Sequence, residues 1–422
     1  MTRVVILGAG TAGTTLAHLL VKRPELDGAS VTVVDRSDRH DYQPGYLFVP
    51  FGMVPAGRVS KDRRAFLPKG IDYVRGEVTA IDRTARQVRL ASGRTLDFDQ
   101  LVITTGTLPR PDVVPGMADG ALWRRTVFDF YTLDGATALR PALAAMTSGR
   151  LVVHITEMPI KCPVAPIEFA LLAQDYLRKR GRHPHVDVIF VTPLDGAFTR
   201  PVASQRLGKL LAERGIELVT DFQLESIDNE HAELVSYDGR RVPFDLAVTI
   251  PPNRGADYLL ESGLADELGF VKVDKHTLQS TEDPDIWAAG DATNVPTSKA
   301  GSVAHFMMDA LVPNLVAHLA GEPLPERFDG HANCFIESGR GEALLLDFNY
   351  DVEPLPGMFP IYHVPALRLL GASTLNHLAK MAFEAVYWNL LIRGRPLPFA
   401  AHMSMEGKRV PEGVRLPAAY TK

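Results

Sequence analysis

A glycine-rich turn near the start of the chain constrains its fold more than any other feature. Residues 8–13 read GAGTAG, follow a short apolar run and open a helical pattern. Glycine permits a tight turn at the first position, close approach of the backbone to a diphosphate at the second, and close helix–strand packing at the third. Asp35 ends the next apolar run, at the spacing where a carboxylate meets a ribose hydroxyl. The residues predicted to hold a dinucleotide are Gly8, Gly10, Thr11, Ala12, Gly13 and Asp35.

A second α/β unit begins at residue 151 and lacks such a turn. The apolar run 151–157 is typical of a buried strand, and it leads into residues 158–168, MPIKCPVAPIE, which contain no glycine. A nicotinamide dinucleotide needs glycine here, because only glycine lets the backbone come close to the diphosphate. Cys162 stands in this loop instead. The contrast between the two units indicates a flavoprotein that receives electrons through sulfur and not from a nicotinamide.

Two further turns stand where flavin contacts are expected. Residues 104–106 follow the apolar run 101–103, and residues 290–291 follow the run 286–289. Together with the first glycine motif, these turns resemble the two-dinucleotide-binding-domain flavoproteins of the disulfide-reductase type, over roughly the first three quarters of the chain. The resemblance implies FAD as the cofactor. The residues that it adds to the FAD site, on the adenosine part and then on the ribityl chain, are Thr104, Thr105, Gly106, Gly290 and Asp291.

The predicted fold class is α/β, with two Rossmann-like dinucleotide-binding domains and a C-terminal helical segment for membrane and quinone. Residues 1–120 and 251–330 are expected to form a discontinuous FAD-binding domain. Residues 121–250 are expected to form the second domain, and 331–422 the C-terminal segment. Apolar periodicity predicts helices over 12–22, 167–180, 204–214, 302–319 and 375–391.

Composition narrows the classes of partner and the compartment. The chain has 422 residues, 46% of them hydrophobic, and a net charge of −5, which does not favour a nucleic-acid partner. Its two cysteines are too few for a disulfide framework or a zinc site, so no metal is expected. The sequence shows neither a secretory leader nor an apolar run of the roughly 20 residues that span a membrane. A cytoplasmic protein is therefore expected.

The thiol region bears a closer resemblance, to the sulfide:quinone oxidoreductases and the related flavocytochrome c sulfide dehydrogenases. The matching stretches are residues 161–168, KCPVAPIE, residues 250–252, IPP, residues 299–301, KAG, and residues 333–337, NCFIE. Members of this family carry two redox cysteines on the flavin face, far apart in sequence. Here Cys162 and Cys334 are separated by 172 residues, unlike the close cysteine pairs of thioredoxin or glutathione reductases.

The resemblance implies a mechanism for these residues. Sulfide attacks a Cys162–Cys334 disulfide or trisulfide, which leaves a persulfide on one cysteine and a thiolate on the other. Electrons then pass to the flavin, and the sulfane sulfur leaves as polysulfide or on another acceptor. Glu168 matches a carboxylate near the sulfur site and is a candidate proton acceptor, although a carboxylate at a helix start is nearly as good an explanation. Lys299 matches a lysine close to the flavin pyrimidine ring.

This chain departs from the family pattern in three places. Many members have a third cysteine about 30 residues before the position of Cys162, but residues 126–130 of this chain contain none. Some attach the flavin covalently through a cysteine, but residues 41–46 offer none, so non-covalent FAD is expected. Some place a histidine in the stretch that corresponds to 192–198, which has none here. These departures leave open the polysulfide length and whether inorganic sulfide is the substrate.

The C-terminal helical pattern, residues 375–391, suggests a membrane contact. Its apolar surface includes Trp388 and is followed by Arg393 and Arg395, a combination typical of interfacial helices. It resembles the helix by which the family sits on the membrane and receives quinone. A core helix or a homo-oligomer interface fits the periodicity equally well. Candidate quinone-pocket residues are Phe359, Tyr362 and Phe383.

The leading hypothesis is therefore a sulfide:quinone oxidoreductase, peripheral on the cytoplasmic face of the cell membrane. One alternative is a flavocytochrome c-type sulfide dehydrogenase subunit, for which export and often a covalent flavin would be expected. A second is a type II NADH:quinone oxidoreductase, which needs the glycine loop that the second unit lacks. A third is a non-enzymatic flavin-binding module with two structural thiols.

Overall fold

The computed structural model describes residues 1–361 and 364–420. The first part of the chain contains ten strands and one α-helix. They are β1 Arg3–Leu7, α1 Thr11–Leu20, β2 Ser30–Asp35, β3 Arg39–Asp41, β4 Ser60–Asp62, β5 Asp72–Arg75, β6 Val78–Asp82, β7 Gln87–Leu90, β8 Thr95–Asp97, β9 Gln100–Ile103 and β10 Leu108–Pro109. The next part contains β11 Val127–Phe128, α2 Leu133–Ala145, β12 Gly149–Ile155, α3 Ala165–Lys179, β13 Val186–Val191, α4 Pro201–Glu213, β14 Glu217–Val219, β15 Leu224–Asp228, β16 Glu233–Ser236, β17 Arg241–Pro243 and β18 Leu246–Ile250.

The chain then returns towards its first part and ends in a mixed region. The returning elements are β19 Asn253–Arg254, α5 Asp257–Glu261, β20 Ile286–Ala288 and α6 Gly301–Ala320. The final elements are β21 Ala332–Gly339, β22 Glu342–Phe348, β23 Gly357–Ile361, β24 Val364–Leu369 and α7 Thr374–Asn389. The five helices predicted from periodicity are confirmed as α1, α3, α4, α6 and α7, each displaced by a few residues at its ends.

Two parallel sheets form the core of the molecule. The first has the strand order β20-β9-β1-β2-β5, and the second has the order β11-β18-β12-β13-β14. Their central strands β1, β9 and β18 consist mostly of apolar residues and are almost entirely buried, as expected when helices cover both faces of a parallel sheet. The α/β fold predicted from these runs is confirmed.

The strand memberships explain how the sites come together. β20, late in the chain, pairs with β9 in the first sheet, so the turns after β1, β9 and β20 meet at one sheet edge. Ligands of open α/β sheets bind at this carboxyl edge. The division into a discontinuous FAD-binding domain and a second domain stays a prediction, and these pairings support it.

The C-terminal segment is not purely helical. β21, β22, β24 and β23 form a four-stranded sheet, in that order, and α7 packs against β22. The sequence analysis identified the helix and missed this sheet. α3 also packs on β21, which brings the helix after the Cys162 loop against the strand that carries Cys334.

The prediction that no apolar run is long enough to span a membrane is wrong for α6. Among the described residues, this helix is long and apolar enough to cross a membrane by length and composition. Its apolar surface is explained by packing, because 61% of its span is buried inside the protein. Proline inside the helix, at residue 313, is also accommodated there.

Candidate functional site

The glycine turn after β1 is closed on its protein side and open on the other. A Cβ at Gly13 would lie 1.9 Å from the Gly8 carbonyl oxygen, so side chains are excluded there. Gly8 itself has φ +92°, a conformation in which glycine is favoured. A Cβ at Gly10 would meet no heavy atom of the described chain within 4 Å. The turn therefore leaves space at Gly10, where the backbone of a dinucleotide-binding loop faces the diphosphate.

Asp35 is held firmly at the end of β2. Its carboxylate accepts hydrogen bonds from the backbone N–H of Ala9 at 2.8 Å and of Ser37 at 2.9 Å. Arg63, which is almost fully buried, forms an ion pair with it at 3.2 Å and also donates to the Ala9 carbonyl. Arg63 was not predicted, because nothing in the sequence around it, residues 62–66, DRRAF, indicates that it pairs with Asp35.

The turn after β9 contains two threonines with different surroundings. The Thr104 hydroxyl donates to the carbonyls of Leu7 and Gly8, at 2.8 and 2.7 Å, so it fixes the glycine turn. The Thr105 hydroxyl is buried beside the phenol of Tyr258. A Cβ at Gly106 would meet open space, as it would at Gly10. Open glycines at two turns of the same sheet edge fit a bound dinucleotide, and the residues present therefore fit FAD.

The turn after β20 brings a carboxyl and an ammonium group to the same edge. Lys299 donates to the Asp291 carbonyl at 3.0 Å and to the Thr293 carbonyl at 2.6 Å. Burial lowers the pKa of Lys299 to about 8 and raises the pKa of the Asp291 carboxyl. The Gly290 N–H points inward and contacts the Met307 sulfur at 3.1 Å. Lys299 is thus fixed by backbone carbonyls, with its charge held near Asp291.

Cys162 is held in an unusual conformation on the loop between β12 and α3. Its φ is +48°, which non-glycine residues rarely adopt. Its N–H donates to the Lys299 carbonyl at 2.7 Å, and its own carbonyl accepts from the Ala165 N–H at 2.9 Å. The residue is half-buried, whereas Cys334 is buried. The loop therefore joins the thiol directly to the residue predicted to approach the flavin.

Cys334, on β21, is buried. Burial raises the pKa of Cys334, and negative charge on Cys162 raises it further. Burial also raises the pKa of Cys162, whereas positive charge on Lys380 opposes that rise. The packing of α3 on β21 brings the helix after the Cys162 loop against the strand that carries Cys334, 172 residues later in the sequence, and the pairing of the two thiols stays a prediction.

A buried ion pair lies beside these thiols. Glu168, near the start of α3, pairs with Lys380 of α7, and its Oε1 accepts the Glu337 N–H at 2.7 Å. Lys380 also donates to the Phe335 carbonyl at 3.2 Å. Burial lowers the pKa of Lys380 to about 7. Glu168 is therefore more than a helix-start carboxylate, because it is the counter-ion of a lysine that acts on Cys162.

A second acid–base pair lies one helical turn away. His377 Nδ1 lies 3.0 Å from both carboxyl oxygens of Glu337, whose side chain is almost completely buried. Burial raises the pKa of Glu337, and His377 opposes the rise. Sequence reasoning missed Glu337, His377 and Lys380. The signal that could have found Lys380 is a single lysine within an otherwise apolar stretch of α7.

α7 also packs against the glycine turn and α1. The Tyr387 hydroxyl hydrogen-bonds to Thr11 Oγ1 at 2.8 Å and to His40 Nε2 at 2.7 Å. Trp388 packs on Phe66 with ring centroids 4.7 Å apart. The apolar residues at this end of the helix are therefore core residues, and the wide apolar surface expected from the sequence is divided between a buried and an exposed face.

Two of the three quinone-pocket candidates lie among the described residues, in different hydrophobic clusters. Phe359 is buried in a small cluster on the C-terminal sheet, near Phe399. Phe383 is partly buried and packs against the main core. Tyr362 lies outside the described residues.

Comparison with known proteins agrees with this arrangement. The pattern of the pyridine nucleotide-disulphide oxidoreductase family matches residues 2–308, and the chain belongs to that family of oxidoreductases. It is similar to the mitochondrial sulfide:quinone oxidoreductase of Dictyostelium discoideum, with 29% identity over 94% of this chain and 87% of that one. The mitochondrial enzyme of Mus musculus is 26% identical over 93% and 86%. The resemblance to sulfide:quinone oxidoreductases is confirmed.

The fold also matches a solved member of that group. The X-ray structure of the sulfide:quinone oxidoreductase from Aquifex aeolicus superposes with a TM-score of 0.78 at 20% identity, over 94% of this chain and 92% of that one. At this identity the match supports the fold alone, and the chemistry must be argued from the residues.

The position of Lys380 leads to a prediction about Cys162. Protonated Lys380 favours the Cys162 thiolate, and its pKa is about 7, so this support weakens as pH rises through 7. In a Cys334→Ser protein, Lys380→Met should raise the pKa of Cys162 and slow its alkylation below pH 7 by about tenfold per pKa unit. The measurement is the pH–rate profile with iodoacetamide.

The controls for this prediction separate charge from packing. Lys380→Arg keeps the positive charge and should retain most of the reactivity. Lys209→Met removes an exposed lysine on α4 and should change nothing. A Lys380→Met profile that superposes on that of the parent protein would show that the lysine does not act on Cys162.

Proposed function

We propose that this protein oxidises sulfide, or a related small sulfur donor, at the Cys162–Cys334 pair. Electrons pass through non-covalently bound FAD to a membrane quinone, and the sulfur leaves as sulfane sulfur or polysulfide. The observation that carries the proposal is that the Cys162 N–H donates to the Lys299 carbonyl beside the turn after β20, while α3 packs on the strand that carries Cys334. The names of the similar proteins support the same donor and acceptor.

The first step is a thiol–disulfide exchange with balanced electrons. Hydrosulfide adds to one sulfur of the Cys162–Cys334 disulfide, the S–S bond breaks, and a persulfide and a thiolate result. Release of the sulfane sulfur to a second thiol or sulfide leaves Cys162 and Cys334 as two thiols, and their reoxidation to the disulfide releases two electrons. FAD, when bound, would supply the acceptor for these two electrons, and a membrane quinone is the proposed final acceptor. Cys162 is the less buried of the two cysteines, so the donor is proposed to attack the Cys162 sulfur.

Two groups can manage the protons. Lys380, with a pKa of about 7, can stabilise a Cys162 thiolate and can give up a proton near neutral pH. Glu168 holds this ammonium group in place, so its proposed role is that of a counter-ion and proton acceptor shared with Lys380. Lys299, near Asp291, is proposed to place positive charge at the flavin.

The residues argue against a nicotinamide as electron donor. The loop after β12 contains no glycine between residues 157 and 168, and an ion pair between Glu157 and Arg254 lies at its start. Ile160, within the loop, is buried. A type II NADH:quinone oxidoreductase is therefore the weaker alternative, and no cysteine lies near the glycine turn to tether the flavin as in many flavocytochrome c enzymes.

The quinone is proposed to arrive along the exposed face of α7. Leu375 and Leu378 are 51% and 58% exposed, and Ala382 and Ala385 continue the same face at helical spacing. Such an apolar stripe on a helix fits the interface of a bilayer. Lys380 lies on the opposite, buried side of this helix. We propose peripheral attachment on the cytoplasmic face of the membrane.

Charge on this face should weaken membrane binding. Leu375→Glu with Leu378→Glu places two carboxylates in the stripe and should lower the fraction bound to anionic lipid vesicles by about tenfold or more, because charged side chains are costly in the apolar layer. Cosedimentation measures the fraction bound, and flavin reduction by sulfide should be unchanged. Leu260→Glu, at an exposed leucine on α5, is the matched control. Equal vesicle binding by the double variant and this control would contradict membrane attachment through α7.

The test of the whole proposal is anaerobic flavin absorbance. Sulfide should bleach the flavin, and a soluble quinone added afterwards should restore the colour. Bleaching without recovery would support sulfide as the electron donor but would contradict a quinone as the electron acceptor. No bleaching with sulfide would overturn the proposed donor, and a thiol, a persulfide and NADH would then be compared in the same cuvette.

A further inference from the structure

Tyr131 contacts the peptide that carries the reactive thiol. Its hydroxyl donates a hydrogen bond to the Cys162 carbonyl at 3.0 Å. The tyrosine directly follows residues 126–130, the stretch in which many relatives are expected to have a third cysteine and this chain has none. A phenol thus approaches the Cys162 loop from the region where the third thiol is missing.

The contact falls on a backbone conformation that needs support. Cys162 has φ +48° and precedes Pro163, and both circumstances restrict the conformations that a residue with a side chain can adopt. Such conformations persist when the surrounding structure holds them, and they concentrate at active sites. Here the N–H is held by the Lys299 carbonyl, and the carbonyl by Ala165 and Tyr131. Of these three contacts, the one from Tyr131 is the only one made by a side chain.

Tyr131 is itself fixed on the second sheet. It lies between β11 and α2, where the Asp129 carboxylate accepts the Thr132 N–H at 2.7 Å and Thr132 caps the helix. The ring is buried and meets Phe130 edge to face, with centroids 5.2 Å apart. Burial raises the pKa of the phenol well above its ordinary value, so the hydroxyl stays a donor at all physiological pH values.

We propose that Tyr131 is a positioning residue that aims the Cys162 sulfur at Cys334 and the flavin. The inference rests on the proposed function for its role in turnover, but its geometric content concerns the two thiols alone. Because disulfide geometry is specific, a small rotation of the Cys162 peptide should strongly weaken the bond between the two sulfurs. The hydroxyl acts through the backbone and has no assigned contact with substrate.

The experiment compares the Cys162–Cys334 disulfide in the full-length, FAD-containing protein and in Tyr131→Phe. The equilibrium with reduced and oxidised glutathione gives the effective concentration of one thiol at the other. We expect Tyr131→Phe to lower it by at least tenfold and to lower kcat for sulfide similarly, with FAD content and melting temperature little changed. Tyr350→Phe removes a similar hydroxyl-to-carbonyl bond, 2.8 Å to Lys275, away from the thiols and should behave as wild type.

The outcomes separate this inference from the proposed function. A Tyr131→Phe protein with the wild-type disulfide equilibrium would overturn the positioning role even if sulfide oxidation is observed. A lowered equilibrium in a protein that does not oxidise sulfide would support positioning and overturn the proposed donor. If Tyr131→Phe is too unstable to hold FAD, the same equilibrium is measured in Tyr131→His, whose shorter side chain is expected to miss the Cys162 carbonyl and give the same loss. A wild-type equilibrium in that variant would overturn the role.

Discussion

Replacing Cys162 by serine should abolish flavin reduction by sulfide. A hydroxyl cannot form the disulfide that sulfide attacks, and it cannot carry the persulfide, so the rate of anaerobic bleaching should fall by more than about a thousandfold. The substitution removes no hydrogen bond of the loop, because those bonds involve the backbone of residue 162. FAD content should therefore be unchanged. Stopped-flow absorbance with sulfide as reductant makes the measurement.

Two controls define this result. Dithionite should still bleach the flavin of Cys162→Ser, since it needs no thiol. Cys334→Ser should be as slow with sulfide as Cys162→Ser, because either change breaks the same pair. Wild-type bleaching in either variant would show that the two thiols are structural and that sulfide reduces the flavin by another route.

Alanine at Gly10 should remove the cofactor without disturbing the fold. The added methyl group meets no atom of the described chain within 4 Å, so the apoprotein should keep its melting temperature. The same methyl group would occupy the approach of a diphosphate to the turn, and FAD affinity should fall by about tenfold or more. The ratio of flavin to protein absorbance and titration of the apoprotein with FAD measure this loss.

The matched control for this variant is Gly57→Ala. A Cβ at Gly57 also meets open space, but this glycine lies away from the predicted cofactor turn. Gly57→Ala should bind FAD as wild type does. Full FAD occupancy in Gly10→Ala would mean that the diphosphate does not lie against Gly10.

Sequence patterns were sufficient for the parallel sheets but not for the thiol pair, which stays a proposal. Runs such as residues 4–7 and 246–248 are apolar at every position, as is typical of a strand that is buried on both faces. The link between Cys162 and Cys334 could not come from spacing. It came from a family resemblance, and the packing of α3 on β21 supports it.

The missed residues share a physical cause. Lys380 and Glu337 contact Glu168, and Tyr131 contacts Cys162, from three parts of the chain that are distant in sequence. Periodicity tells which residues of a helix share a face, but not what covers that face. For α7 it could not separate Tyr387, which is buried against α1, from Leu378, which is exposed. In the C-terminal sheet, β23 and β24 each contain a proline, which weakens the sequence pattern of a strand.

The hydrogen bond between Thr11 and Tyr387 has a consequence for biosynthesis. Thr11 lies in the cofactor turn, yet one of its side-chain contacts comes from Tyr387, 376 residues later in the chain. A ribosome must therefore deliver all of these intervening residues before that contact can form. Polypeptides that stop short of α7 would carry an intact glycine motif with an incomplete surround, so flavin occupancy would distinguish finished chains from prematurely terminated ones.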